Sequence, residues 1–301
     1  MKAKTKIWVG VGAFVFAGGA AIGGAGAAPQ TPTVERAQAI GNESLDTAQG
    51  RDTTSQIAIA QHLAANDHGG EGGEGGEEGG EHGFKTKLPP DLEFALSIGE
   101  LRGHLLVGNE LVQQGQWAAA LPHFLHPTEE IYGKIRGQLK NYKTPPFEAA
   151  LKSLAQTVKT KKGGEAYTKA FNAVEDALAK TDVGLKAKQP SDWDGFTAEA
   201  AVELIKAASG EYEEAIVKGR IAKPVEYQDA RGFILQAEKM LDSVALSLEK
   251  KDADALKQTR EALAELKKAF PEAMPPKAPV KDYGALLSDV SRLELAAGKL
   301  M

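Results

Sequence analysis

The sequence contains no cysteine. This absence excludes disulfides, iron–sulfur clusters, thiolate zinc sites, covalently attached c-type haem and cysteine nucleophiles. Aromatic residues make up only 6% of the chain, and no large basic block follows the first few residues. Because a basic surface is the usual footprint of nucleic-acid binding, we expect no nucleic-acid partner. Without cross-links, the fold must be held together by its hydrophobic core.

The residues that are abundant favour helices over sheets. Hydrophobic residues account for 42% and charged residues for 26% of the 301 positions, and alanine, leucine, lysine and glutamate dominate the second half. These residues lose little conformational entropy in a helix, and a chain of this length can bury a substantial core. We therefore expect an all-α fold.

The beginning of the sequence has the pattern of a secretory signal peptide. Three lysines precede an apolar stretch from Ile7 to Ile22, and the small residues Ala25-Gly26-Ala27 follow it. This pattern predicts that residues 1–27 are removed on export to the periplasm or outside the cell. An uncleaved membrane anchor is the alternative, although the stretch only just reaches the roughly 20 apolar residues that span a bilayer. No later segment is apolar enough to cross a membrane, so we expect no membrane association after cleavage.

Composition divides the rest of the chain into three parts. Residues 28–65 are polar and weakly periodic, and residues 88–301 carry helical patterns. Between them, residues 66–87 consist largely of glycine, glutamate and histidine. Such a segment cannot bury enough apolar surface to offset its chain entropy, so we expect a disordered tether. The tether is either a solvated linker or a weak metal collector, since His68 and His82 stand among its carboxylates.

Apolar residues within 88–301 recur at spacings of three and four, which is typical of amphipathic helices. The clearest stripes are Phe94, Ile98, Leu101, Leu105 and Val112 near the start, and Ala230, Ile234, Ala237, Leu241, Val244 and Leu248 later. Asp91 is placed to cap the first of these helices, and Thr128 to open another that runs toward Asn141. These features, with short connections, predict an antiparallel helical bundle or an array of helical hairpins.

Histidines cluster in one part of the predicted helical domain. The sequence has six histidines, of which His104, His123 and His126 lie close together and are followed by none. Glu100 lies four residues before His104 on the same helical face. Three imidazoles with a carboxylate suit zinc, copper or iron, and are too rich in nitrogen for calcium or magnesium. The predicted ligands of this transition-metal site are His104, His123, His126 and, as the oxygen ligand, Glu100 or Glu129.

Simpler roles remain open for the same side chains. Histidines near helix ends often bond to backbone carbonyls, and Glu129 and Glu130 at a helix start complement its dipole. Glu211 and Glu238, beside later apolar stripes, either complete the site or leave their carboxylates in water. The sequence has no Glu-x-x-His pair of di-iron bundles, no recognisable Ser/His/Asp arrangement and no phosphate loop. We therefore expect a binding protein more than an enzyme.

The motif His126-Pro127-Thr128-Glu129, in an exported helical protein, resembles the H-x-x-E motif of imelysin-type periplasmic proteins. Those proteins are associated with iron uptake, so the resemblance implies a helical protein outside the cytoplasm whose partner is a metal ion. From the residues and this resemblance we predict transition-metal binding in uptake, storage or sensing. The alternative is a non-enzymatic protein–protein interaction module, in which helical hairpins present a groove to an envelope protein.

Overall fold

The computed structural model describes residues 87–189 and 191–301 of the chain. The predicted signal peptide and polar segment, and the tether except for its last residue, lie outside the described residues. The prediction of an all-α fold for the domain that follows is confirmed, because helices form nearly all of the regular structure in the described ranges.

The helices in chain order are α1 (Pro90–Gln113), α2 (Trp117–Ala120), α3 (Pro122–His126), a π-helical turn (Pro127–Ile131), α4 (Tyr132–Ile135), a 3-10 helix (Leu139–Tyr142), α5 (Glu148–Lys159), α6 (Glu165–Lys188), α7 (Trp193–Ala215), α8 (Pro224–Ser243), α9 (Ala245–Lys251), α10 (Ala253–Lys267) and α11 (Tyr283–Ala297). A short antiparallel hairpin of β1 (Ile216–Val217) and β2 (Arg220–Ile221) joins α7 to α8. Among the described residues, no helix combines the length and the apolar character that crossing a bilayer requires.

Aspartates fix the starts of three long helices. The carboxylates of Asp192, Asp252 and Asp282 accept hydrogen bonds from backbone N–H groups three residues later, at 3.2, 2.9 and 2.8 Å. Each bond satisfies a donor that has no partner within its own helix. Asp91 does not act in this way, contrary to our expectation. Proline occupies the first position of α1, and Asp91 in its first turn accepts a hydrogen bond from the Tyr142 hydroxyl instead.

The helices pack around two neighbouring hydrophobic clusters. One cluster is formed mainly by α7, α8, α10 and α11, and the other mainly by α1 to α6. Helix α7 packs along α8 over most of its length, and α1 lies against both of them. Because α1 contributes to one cluster and packs on the helices of the other, the α1–α8 contact is where residues from distant parts of the sequence meet.

Two glycines allow α1 and α8 to touch backbone to backbone. A Cβ atom added at Gly232 would lie closer than 3.0 Å to the carbonyl oxygen of Gly103, and one added at Gly103 would lie that close to the Phe233 ring. Real Cβ atoms do not approach other atoms so closely, so both positions require glycine. The crossing places His104 on α1 opposite Asp229 on α8.

Two of the expected helices are interrupted. The helix expected from Thr128 toward Asn141 is divided into the π-helical turn, α4 and the 3-10 helix. Pro127 supplies no backbone N–H, and Gly133 and Gly137 lower the helix propensity of this stretch. The later stripe is interrupted at Val244, where α8 ends and α9 begins. There the Ser243 hydroxyl donates to the carbonyl of Met240 and so competes with the regular helical bonding pattern.

Candidate metal centre

Three helices supply the side chains of a buried polar site. His104 comes from α1, His123 and His126 from α3, and Asp229 from α8. Helix α3 reaches α1 because Gly108 has no side chain. A Cβ atom at Gly108 would lie 2.8 Å from the Phe124 ring and 3.1 Å from the Cβ of His123. The glycines of α1 therefore bring both neighbouring helices close to His104.

The carboxylate of Asp229 is the centre of the site. Its Oδ1 atom lies 2.6 Å from Nδ1 of His104 and 2.8 Å from Nδ1 of His123. Its Oδ2 atom lies 3.8 Å from Nδ1 of His126, which is too far for a direct hydrogen bond. The side chains of His123 and Asp229 are 0% and 5% exposed, whereas that of His126 is 29% exposed. Two fully enclosed imidazoles and one at the rim thus surround one buried carboxylate.

The arrangement of these atoms is suitable for a metal ion. One ligand atom each from His104, His123 and Asp229 lies within 4.8 Å of the other two. Nδ1 of His104 is buried, yet it forms no well-aligned hydrogen bond to any described residue despite its short distance to Asp229. A buried polar atom without a partner is costly. A cation held between the imidazole and the carboxylate would satisfy both, so the donor set fits a transition metal.

Gln228 determines how His123 faces the centre. The Nε2 atom of His123 lies 2.9 Å from Oε1 of the buried Gln228 side chain, while Nδ1 faces Asp229. A neutral imidazole carries only one proton. When Nε2 donates that proton to Gln228, Nδ1 directs its lone pair at the centre, as a metal ligand requires. Gln228 is therefore placed to set the tautomer of His123.

The site is electrostatically polarised. Burial by itself raises the pKa of Asp229, but the adjacent rings of His104, His123 and His126 outweigh burial and hold that pKa well below its ordinary value. The pKa of His126 is in turn raised above its ordinary value. The Asp229 carboxylate is the main cause and the charges of Glu130 and Glu129 add to it, while burial opposes them without outweighing them. Asp229 is therefore an anion at neutral pH, which is the form that binds a cation.

The two glutamates named from the sequence as oxygen ligands lie elsewhere. Glu100 is half-buried one turn before His104, and Glu129 is exposed on the π-helical turn. Neither belongs to the group of ligand atoms within 4.8 Å, in which Asp229 supplies the oxygen. Coordination by Glu100 or Glu129 stays a prediction. His104 and His123 meet at Asp229, which sequence reasoning missed, and His126 stands outside that group at the rim. Coordination by the three histidines likewise stays a prediction.

Two further carboxyl groups stand near the centre. Burial raises the pKa of Glu100 to about 7, against the opposing effect of Lys134. Burial also raises the pKa of Glu211 to about 8, and the charges of Asp229, Glu214, Glu226 and Glu100 add to this. Glu238, by contrast, binds Lys267 through both carboxylate oxygens, each at 2.7 Å. Of the two later glutamates, Glu211 is thus the one whose pKa is affected by Asp229.

The raised pKa of Glu211 leads to a prediction for the metal-free protein. Its pKa is 4.5 in an ordinary environment and about 8 in the fold, so the folded state binds more protons than the unfolded state between these pH values. Stability must therefore fall as the pH rises from about 5 to 8.5. We expect the wild type to lose on the order of 3 kcal/mol of unfolding free energy over this pH range because of Glu211, and the Glu211→Gln variant to lack this loss. Thermal denaturation at the two ends of the range measures the difference.

The matched control for this experiment is Glu249→Gln, which changes an exposed glutamate on α9. This variant should keep the pH dependence of the wild type. If Glu211→Gln also keeps it, then the carboxyl group of Glu211 is hydrated and not buried near Asp229.

Comparison with known families finds a match in the C-terminal part of the chain. Residues 187–301 match the family model of the iron permease-associated 4-helix bundle domain. These residues include α7, α8, α10 and α11 and contain Gln228 and Asp229, whereas the three histidines precede them. Comparison with curated proteins and with solved structures gives no significant match. The match indicates a helical, metal-related family, as the sequence suggested, but it is not the imelysin family.

Proposed function

We propose that this protein binds a transition metal ion at Asp229, His104 and His123, and that it serves metal uptake. The observation that carries the proposal is the meeting of two buried Nδ1 atoms on one carboxylate oxygen, at 2.6 and 2.8 Å. A metal ion held there would bind the neutral imidazoles. Since protons compete with the ion for the imidazole nitrogens, its affinity depends on pH.

The residues have distinct roles in this proposal. Asp229 supplies negative charge, and His104 and His123 supply neutral nitrogen ligands from two other helices. His126, at the rim and 3.8 Å from the carboxylate, completes the set by a small movement of its partly exposed ring. Gln228 holds the tautomer of His123 and does not itself coordinate the ion.

Iron is the favoured ion among the three that the sequence allowed. Imidazole and carboxylate ligands without sulfur suit zinc, copper and iron alike, so the donor set does not select one of them. The match of residues 187–301 to an iron permease-associated domain favours iron.

The proposal includes a location for this activity. A signal peptide over residues 1–27 would deliver the protein to the periplasm or outside the cell, where metal ions are captured before they cross the membrane. A protein of the cell envelope that receives the ion is then the natural partner. Intact mass of the exported form tests the location, since loss of residues 1–27 is expected.

Metal titration of the histidine variants tests the proposed site. The wild-type protein, stripped with a chelator, is dialysed anaerobically against Fe²⁺, and bound iron is measured by mass spectrometry. We expect His123→Ala to weaken binding by about 100-fold and His126→Ala by about tenfold, because the buried ligand is fixed and the rim ligand is not. Zinc and copper titrations on the same variants identify the preferred ion.

The control is the double variant His68→Ala/His82→Ala, which removes the same kind of side chain from the predicted tether. This variant should lose only weak, additional equivalents of metal and keep the tight site. The proposal fails if the tether variant loses the tight site, or if His123→Ala retains it with unchanged affinity. Helix content, measured by circular dichroism, must be unchanged in each variant.

A further inference from the structure

A cavity separate from the metal centre lies between α1, α6, α7 and α8. Its volume is about 480 Å³, which lies within the range of small-molecule sites in proteins. On α1 it is lined by Arg102, which points about 200° around the helix from His104. The cavity and the histidine site are therefore on opposite sides of the same helix.

The cavity exists because α6 packs mainly on α5 and the 3-10 helix and only sparsely on α1. The space left between α6 and α1 is bordered by small residues, Gly99 and Ala200, and by the aromatic rings of Phe171, Trp193 and Phe196. Concave apolar walls of this kind bind the non-polar part of a ligand. Polar groups at a few positions then determine which ligand fits.

Hydrogen-bond donors on the cavity wall are left without partners. The Arg102 guanidinium carries five N–H donors, but its side chain makes one hydrogen bond, from Nη2 to Asp182 at 2.8 Å. Its Nε atom is buried and bonds to none of the described residues. This buried Nε donor needs an acceptor from elsewhere. Gln236, which is 6% exposed, also lines the cavity, and its amide can offer a further donor.

Charged side chains of both signs line the cavity, since Glu175 and Asp182 stand there with Arg102 and Lys239. Asp182 contacts the Arg102 guanidinium through Nη2, and the buried Nε donor stays available to a second acceptor. Partial burial lowers the pKa of Lys239, with Glu175 opposing this and Arg102 adding to it. A ligand carboxylate next to Arg102 would supply the missing acceptor in charged form.

We propose that this cavity binds a small organic carboxylate with an apolar body. The carboxylate accepts hydrogen bonds from the Arg102 guanidinium and the Gln236 amide, and the apolar body lies against Trp193 and Phe196. This inference goes beyond metal binding, since it uses neither the histidines nor Asp229. It assigns a second, independent ligand to the face of α1 that the metal centre does not use.

Calorimetric titration of the full chain with phenylacetate tests the proposal, with phenylacetamide as the neutral probe of the same shape. We expect phenylacetate to bind at least about tenfold more tightly, because only its carboxylate pairs with Arg102. Arg102→Met should weaken phenylacetate binding about tenfold or more. Lys239→Met, at the solvent-facing rim of the cavity, should weaken it severalfold.

Arg260→Met is the matched control. Like Arg102, Arg260 donates through Nη2 to an aspartate on another helix, Asp242, at 2.8 Å. Unlike Arg102, it does not line the cavity. It should leave phenylacetate binding unchanged. Equal binding of the acid and the amide would overturn the proposal. The proposal would also be overturned if the Arg102→Met and Lys239→Met variants bound phenylacetate as tightly as the Arg260→Met control.

Discussion

The Asp229→Asn variant is expected to bind iron at least about 100-fold more weakly than the wild type. Changes to residues that only orient metal ligands cost about 10–100-fold, and Asp229 is the central anion of the proposed site. Asparagine has the same shape but no negative charge, and its amide nitrogen cannot coordinate. The oxygen that His104 and His123 share, at 2.6 and 2.8 Å, becomes an uncharged amide oxygen or an amide nitrogen. Equilibrium dialysis against Fe²⁺ measures the change directly.

Asp289→Asn provides a matched control in the same helical region. The side chain of Asp289 is 6% exposed, against 5% for Asp229. Asp289 lies on α11 and accepts a hydrogen bond from Arg292 at 2.9 Å while contacting Lys281. Its replacement removes a buried, paired aspartate that has no histidine neighbour in the site. The control should keep wild-type iron affinity. Loss of iron in both variants would attribute the effect to weakened folding, and retention in Asp229→Asn would remove the carboxylate from the site.

Local signals were sufficient to predict most of the helices. The stripe from Phe94 to Val112 lies within α1, Pro90–Gln113, and the later stripe lies within α8, Pro224–Ser243, as far as Leu241. Side-chain caps and three–four periodicity depend on neighbours within about one turn, and these are visible in a sequence. The interruption at Val244 was missed because it depends on the Ser243 hydroxyl and on the packing of α9, neither of which has a periodic signature.

The candidate site was only partly predictable for a related reason. The clustering of His104, His123 and His126 is visible in the sequence, but their convergence depends on how α1, α3 and α8 cross. Asp229 is 106 residues from His123 in the chain, and no spacing rule connects them. One signal was present, since Asp229 lies four residues before the buried Phe233 and eight before Ala237. A charged residue on that buried face of α8 needs a partner, which the structure identifies as the histidines.

Gly232→Ala is expected to destabilise the protein by about 3 kcal/mol, at the upper end of the cost of overpacking. The added Cβ would lie closer than 3.0 Å to the carbonyl oxygen of Gly103, and no side-chain rotation relieves a clash with backbone. Helices α1 and α8 must therefore move apart. For a chain of this size we expect the melting temperature to fall by about 6–12 °C, as measured by thermal denaturation of the metal-free protein.

The same movement should weaken iron binding, because α1 carries His104 and α8 carries Asp229, so widening the crossing separates two of the proposed ligands. Gly133→Ala is the matched control: it also adds one methyl group to a helical glycine, but no described atom lies within 4 Å of the new Cβ. Because alanine favours the helix, this control should be neutral or stabilising by about 0.5–1 kcal/mol. It should also bind iron as the wild type does. If Gly232→Ala changed the melting temperature as little as Gly133→Ala does, α1 and α8 would not cross backbone to backbone. If it changed iron affinity as little, their crossing would not set the geometry of the metal centre.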